Sequence, residues 1–147
     1  MEKKVTSAEE TMGFAQQLAK PLQAGAVIGL VGNLGAGKTH FVKGLAQGLG
    51  SDSPVSSPTF TLVHEYSDGV CPLYHFDFYR MDQAQEIENI GWDEYLDEAG
   101  IVVVEWADRF PELMPPHTQW WQISIGDGDA RTLQLLNQAP QATANHE

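Results

Sequence analysis

Cysteine occurs once in the 147 residues, at Cys71, so no internal disulfide can form and the usage fits a reducing compartment. Cationic residues are also scarce: 8 Lys and Arg stand against 20 Asp and Glu, a formal net charge of −12. None of the eight belongs to a tract, which argues against an autonomous grip on DNA or RNA, since that needs a basic face. An acidic surface suits contact with a basic partner protein instead. No apolar stretch approaches the length of a membrane span, and the first residues lack the apolar centre of a secretory signal. A cytoplasmic protein without membrane contact is the expectation. The length corresponds to about one domain.

Glycine, by contrast, is present in a fixed pattern. Residues Gly32 to Thr39 read Gly-Asn-Leu-Gly-Ala-Gly-Lys-Thr, which is the Walker A or P-loop spacing. Gly32, Gly35 and Gly37 permit backbone conformations in which successive N–H groups turn inward around phosphate oxygens, with Asn33, Leu34 and Ala36 completing the loop. A helix starting near Lys38 aims its positive end at the same anion. Lys38 is expected on the β- and γ-phosphates and the Thr39 hydroxyl on Mg²⁺. The apolar run Ala26 to Val31 before the loop and the helical spacing from Thr39 to Leu49 after it supply the strand–loop–helix setting that the motif requires.

Ser7 and Glu10 predict a capping box that opens a helix with an apolar stripe of Met12, Phe14, Ala15 and Leu18, ended by Pro21 and Gly25. Gly48 and Gly50 close the P-loop helix, and Ser51 to Pro58 forms a Ser/Pro-rich loop where P-loop proteins carry switch segments. Thr59 to Tyr66 and Pro72 to Phe78 read as a hairpin of strands around Ser67-Asp-Gly69. Asp82 to Ile90 reads as a short acidic helix, and Trp92 to Leu96 as one or two further turns. Ile101 to Glu105 is a strand buried on both faces. The prolines at 111, 115 and 116 exclude much helix there. Two last strands, Gln119 to Ile125 and Thr132 to Leu136, flank Gly126-Asp-Gly128. The alternation predicts an α/β fold: a P-loop NTPase-like mixed sheet, with a parallel core and antiparallel additions, flanked by helices. Residues 1–137 are expected to form a single nucleotide-binding domain, and 138–147 a flexible tail.

A P-loop nucleotide enzyme needs a carboxylate at a neighbouring strand end to hold Mg²⁺. Glu105 and Asp77 both stand at such ends, at the carboxyl edge where ligands bind in open α/β sheets, and Glu105 is favoured for the ion. Thr59 follows Pro58, so its hydroxyl either reaches the γ-phosphate or ion or merely closes a turn. His64, His75 and Cys71 match no zinc spacing. Trp120 and Trp121 read as packing, while Trp106 shares the sheet edge with Glu105. Arg80 and Arg109 either meet phosphate or neutralise Asp77 and Asp108, the latter being preferred for Arg109. The absence of an Asn-Lys-x-Asp element favours ATP over GTP. The short chain has little length to spare for a kinase's acceptor pocket and lid.

Four blocks together carry a resemblance: Gly32 to Thr39, Val55-Ser-Ser-Pro-Thr-Phe-Thr-Leu-Val63, His75-Phe-Asp-Phe-Tyr-Arg80 and Val104-Glu-Trp106. In order and spacing they closely resemble the TsaE (YjeE) family, over most of residues 7 to 110. The resemblance implies a small bacterial ATPase that works with two partners, TsaB- and TsaD-like, which carry out the carbamoyl transfer that makes threonylcarbamoyladenosine in tRNA. On that reading tRNA is met only indirectly, and hydrolysis resets the complex between turnovers. It further implies Thr39 and Glu105 as Mg²⁺ ligands, Asp77 as an acid needed for hydrolysis, Thr59 in a switch-like segment, and Thr11 and Arg131 near the nucleotide. Two positions depart from the family: Asn33 replaces the usual Asp and His40 the usual Thr or Ser. The alternatives are a nucleotide-gated binding module without significant hydrolysis and a small-molecule kinase.

Overall fold

The most apolar segments of the chain lie side by side. Strands β2 (Val27–Val31) and β5 (Ile101–Glu105) pair in parallel, with Val27 opposite Val102 and Leu30 opposite Glu105. Beyond β5 lies β4 (Leu73–Asp77), also parallel, which brings Asp77 directly opposite Glu105. On the other side of β2, β6 (Gln119–Ile125) continues the parallel set. Antiparallel strands finish both edges: β3 (Val63–Tyr66) pairs with β4, β7 (Arg131–Leu136) with β6, and β1 (Glu2–Val5) with β7. The sheet order is β1-β7-β6-β2-β5-β4-β3. The computed structural model describes residues 1–142, and these statements are made of them.

Alternation along β5 assigns the two faces. Ile101 and Val103 join a core with Ile28, Leu30, Phe41 and Leu45, under α1 (Ala8–Ala19) and α2 (Lys38–Gly48). Val102 and Val104 join the opposite core with Phe76, Ile87 and Trp92, under α3 (Ala84–Glu88) and α4 (Trp92–Asp97). Close approach of α1 to α2 depends on two glycines. A Cβ on Gly44 would overlap the Met12 carbonyl, and one on Gly48 would stand 2.5 Å from the Gln16 oxygen. Gly48, the last helical residue, is therefore a packing position, and the chain turns out beyond the helix at Gly50 with φ +87°.

The expected mixed α/β architecture is found, with local differences. β1 was not expected: Glu-Lys-Lys-Val carries only one buried residue, Val5, and owes its extension to pairing with β7. The strand expected over 59–66 begins only at Val63. Residues 59–62 turn instead, because the Pro58 carbonyl accepts from the N–H groups of Thr61 and Leu62, and Leu62 adopts φ +74°. The capping box is half present. Ser7 accepts from the Glu10 N–H at 3.1 Å, but the Glu10 carboxylate reaches back one residue further, to the N–H and hydroxyl of Thr6. The acidic helix expected over 82–90 is confined to α3, with Gln83 and Glu86 forming its capping box. Of the tail expected at 138–147, residues 143–147 lie outside the described residues.

Candidate active site at the carboxyl edge of the parallel strands

β2 feeds the glycine loop, which feeds α2, so the loop stands at the carboxyl edge of β2, beside the ends of β5 and β4. Gly35 and Gly37 have φ +81° and +101°, a region closed to most side chains, and open space surrounds the place a Cβ would take. Gly37 is the N-cap of α2 and offers no side chain to the helix's first N–H groups, whereas α1 is capped by Ser7. An eleven-residue helix thus presents uncapped donors to whatever sits in the loop.

Lys38 is 5% exposed and its ammonium donates to the carbonyls of Gly32 at 2.6 Å and Asn33 at 2.9 Å. The Trp106 ring lies 4.3 Å beneath it. Burial pushes the Lys38 ammonium below its ordinary pKa, while Glu105, Asp77 and Asp108 act in the opposite direction. Trp106 adopts φ +60°, a strained conformation for a bulky residue, and this brings its ring over the lysine.

The Thr39 hydroxyl donates to the Glu105 carboxylate at 3.1 Å, so the two oxygen ligands expected for a hard cation already face each other. Asp77 accepts from the Thr59 hydroxyl at 2.7 Å and from the Tyr79 N–H at 2.8 Å. Burial pushes the Asp77 carboxyl up, and those two hydrogen bonds oppose the rise. Lys38, Thr39, Thr59, Asp77, Glu105 and Trp106 line one cavity of about 320 Å³, with Leu34 at its rim.

A second cavity, about 280 Å³, adjoins it across Gly35, Gly37 and His40 and is lined by Ser7, Thr11, Ala36, Asp129 and Arg131. Arg131 donates to the Gly35 carbonyl at 3.2 Å, so the basic residue from β7 does reach the P-loop. Gly32 and Asn33 face neither cavity. They line a third, about 370 Å³, with Asp108, and meet the site only through their carbonyls on Lys38.

The block from His75 to Arg80 makes three contacts at the site and one beside it. His75 Nε2 lies 2.5 Å from Glu105, Asp77 holds Thr59, Tyr79 stacks against Trp106 with ring centroids 4.8 Å apart, and Arg80 covers the exposed Phe60 ring at 4.8 Å. Arg109 points into the core side, donating to the Met81 carbonyl. Two contributors were missed in the sequence. The β3–β4 register sets His64 opposite His75, so these histidines meet after all, in a hydrogen-bonded row rather than around zinc. Asp129 followed a turn glycine and gave no signal. Among the described residues, no group of three or more His, Cys, Asp or Glu is placed to hold a metal by itself.

The donor set fits a nucleotide with its cation. The Lys38 ammonium and the uncapped start of α2 share this edge with Glu105, Asp77 and Asp108, so a bound cation would offset the negative charge that phosphate adds, and Thr39 and Glu105 offer the oxygen chemistry for it. Comparison with known proteins agrees. A family model described as threonylcarbamoyl adenosine biosynthesis protein TsaE matches residues 5–133. A Bacillus subtilis relative named tRNA threonylcarbamoyladenosine biosynthesis protein TsaE is 48% identical over 125 residues, 85% of this chain and 78% of its own length. One of the same name from Nostoc sp. is 44% identical over 106 residues, 70% of this chain but only 65% of its own length. The crystal structure of Bacillus subtilis YdiB matches with a TM-score of 0.80 at 38% identity, over 92% of this chain and 83% of that one. The glycine loop, the strand-end carboxylates and the sheet that brings them together are those of a P-loop nucleotide-binding protein, and the chain belongs to the TsaE family.

Proposed function

We propose that the chain binds and hydrolyses ATP as a subunit required for forming threonylcarbamoyladenosine in tRNA, in the cytoplasm, with TsaB- and TsaD-like partners carrying out the carbamoyl transfer. One observation carries the hydrolytic part: the Thr39 hydroxyl and Glu105 carboxylate, 3.1 Å apart, beside the uncapped start of α2. Residues 1–137 serve as the nucleotide-binding domain. The backbone from Leu34 to Gly37 and the N–H groups of Lys38, Thr39 and His40 surround the phosphates, and the Lys38 ammonium exchanges the Gly32 and Asn33 carbonyls for phosphate oxygen. Mg²⁺ held by Thr39 and Glu105 would supply the charge neutralisation that phosphoryl transfer needs. Asp77 accepts the proton of the attacking water, a role its burial suits, and the Thr59 hydroxyl fixes its orientation. Thr11 and Arg131 stand by the nucleoside. A chain with net charge −12 leaves the contact with tRNA to its partners, and needs neither DNA nor membrane.

Phosphate release from Mg·ATP, measured with the chain alone and with the two partner proteins, tests this. Slow release alone, changed on adding the partners, together with loss of tRNA threonylcarbamoylation when the chain is omitted, is the expected result. No release under either condition would leave a binding module and refute the hydrolytic reading. Stoichiometric phosphorylation of an added small acceptor would replace it with a kinase.

A further inference from the structure

We propose that His75 is a positioning residue that holds the Glu105 carboxylate in the orientation in which it and the Thr39 hydroxyl receive the metal ion. This rests on reading Thr39 and Glu105 as the ion's ligands.

His75 is 0% exposed, in the middle of a strand on whose same face stand Leu73 before it, in the core under α1 and α2, and Asp77 after it. A buried imidazole costs free energy to desolvate unless it is hydrogen-bonded, so an aliphatic residue would fill that position more cheaply if packing were its only task. Its Nε2 lies 2.5 Å from Glu105 Oε2, the same oxygen that the Thr39 hydroxyl approaches at 3.1 Å. The register explains the reach. His75 stands opposite Val103 on the parallel neighbour, so Glu105 is its diagonal partner two residues on, on the same face. An ionised carboxylate only accepts, so Nε2 is the donor in this pair, and in the neutral imidazole Nδ1 is an acceptor. Nδ1 faces the Tyr66 hydroxyl at 3.4 Å. Tyr66 in turn faces His64 Nδ1 at 3.3 Å, and His64 Nε2 lies 2.8 Å from the Thr61 hydroxyl. The imidazole is thus fixed from behind by β3, and the row of groups ends in the 59–62 turn that also carries Thr59. Glutamate has three side-chain torsions, and a ligand left free to rotate must be ordered when the ion binds. Hydrogen bonds to a metal ligand from the surrounding shell remove that cost.

Three substitutions separate the hydrogen bond from the packing. His75→Leu fills the space without a donor. His75→Asn keeps an amide, but at the depth of Nδ1 and too short for Glu105. His75→Gln sets its amide near the depth of Nε2. Mn²⁺ affinity of the full chain with ADP, read by electron paramagnetic resonance, is expected to be about 10–100-fold weaker in the Leu and Asn variants and within about threefold of wild type in the Gln variant. ADP affinity in EDTA is expected to be unchanged in all three. Should the Leu variant not fold, the contrast between Asn and Gln decides. Wild-type Mn²⁺ affinity in the Asn variant, or a Gln variant as weak as Asn, overturns the proposal. Glu105→Gln serves as the reference. If it binds Mn²⁺ like wild type, the ligand reading itself fails; if it loses Mn²⁺ while His75→Asn does not, only the positioning role fails.

Discussion

Two cavities meet at Gly35, Gly37 and His40, and they are built by opposite means. On the side proposed for the phosphates, polar side chains hold one another: Thr39 holds Glu105, His75 holds Glu105, and Thr59 holds Asp77. All but the two threonines of this set are buried, and they stand on the adjacent strands β4 and β5. On the side proposed for the nucleoside the groups act singly. Arg131 bonds to backbone carbonyls, the Thr11 hydroxyl to the Ser7 carbonyl at 3.4 Å, and Asp129 is exposed. A connected, desolvated network transmits the loss of any member to the others, whereas separate contacts with backbone fail one at a time. Substitutions should therefore have large, coupled effects on one side and small, independent effects on the other.

Lys38→Ala breaks the comparison hardest. It removes the ammonium that faces Glu105, Asp77 and Asp108 where phosphate is proposed to bind, and ATP turnover should fall by about 100-fold or more. Next come Asp77→Asn and Thr59→Val, with expected losses of about 100-fold and about 10-fold in phosphate release. The double variant should be no slower than Asp77→Asn alone, because the two residues act through one hydrogen bond. A fully multiplicative loss would show that Thr59 acts independently of Asp77, and the picture of a linked phosphate side would fail.

A smaller effect, on stability, follows from the same burial. Asp77 has a raised pKa when folded, so the native state binds its proton more tightly than the unfolded chain does. That stabilisation is fully present below the unfolded carboxylate pKa and is lost as pH rises through the raised folded value. At neutral pH and above, the folded wild type therefore holds a costly buried charge that Asn lacks. Asp77→Asn should melt about 1–3 °C higher than wild type at pH 8, and the difference should vanish near pH 4, at the ordinary carboxylate pKa of about 3.9. Calorimetry across that range measures it, and an Asn variant less stable at pH 8 would show that the bonds from Thr59 and Tyr79 outweigh desolvation.

The contrast between the cavities also explains what could be read in advance. A P-loop is a local motif, so spacing alone located Gly32 to Thr39, and apolar runs ending in acids located Asp77 and Glu105. The row His75, Tyr66, His64 and Thr61 needs the register of a hairpin, which no local pattern displays until the strands are paired. Thr59 to Leu62 misled because β-branched and aromatic residues favour strands, yet here a proline carbonyl and the bond from Thr59 to Asp77 hold them in a turn. Strand β1 was hidden for the reverse reason: its residues are polar, and only β7 makes it a strand. On the nucleoside side Arg131 came from family resemblance alone, because a single arginine after a glycine turn looks like any exposed cation.

Arg131→Ala gives the smallest effect and the most direct check on the looser cavity. Its guanidinium spans from β7 to the Gly35 carbonyl at 3.2 Å, while two further bonds, to Gly128 at 3.0 Å and Ala130 at 2.7 Å, hold it to its own turn. A partly exposed cation of this kind contributes about 1 kcal/mol or less to an interaction in water. The Michaelis constant for ATP should rise about two- to fivefold at most, with turnover at saturating ATP unchanged, since the residue touches none of the groups around Asp77 and Glu105. Combined with Thr59→Val, the effects should multiply, as expected for sites without shared partners. If Arg131→Ala instead lowers turnover as strongly as Thr59→Val, then the Gly35 carbonyl is a mechanical link between the cavities, and the glycine loop joins them into one device.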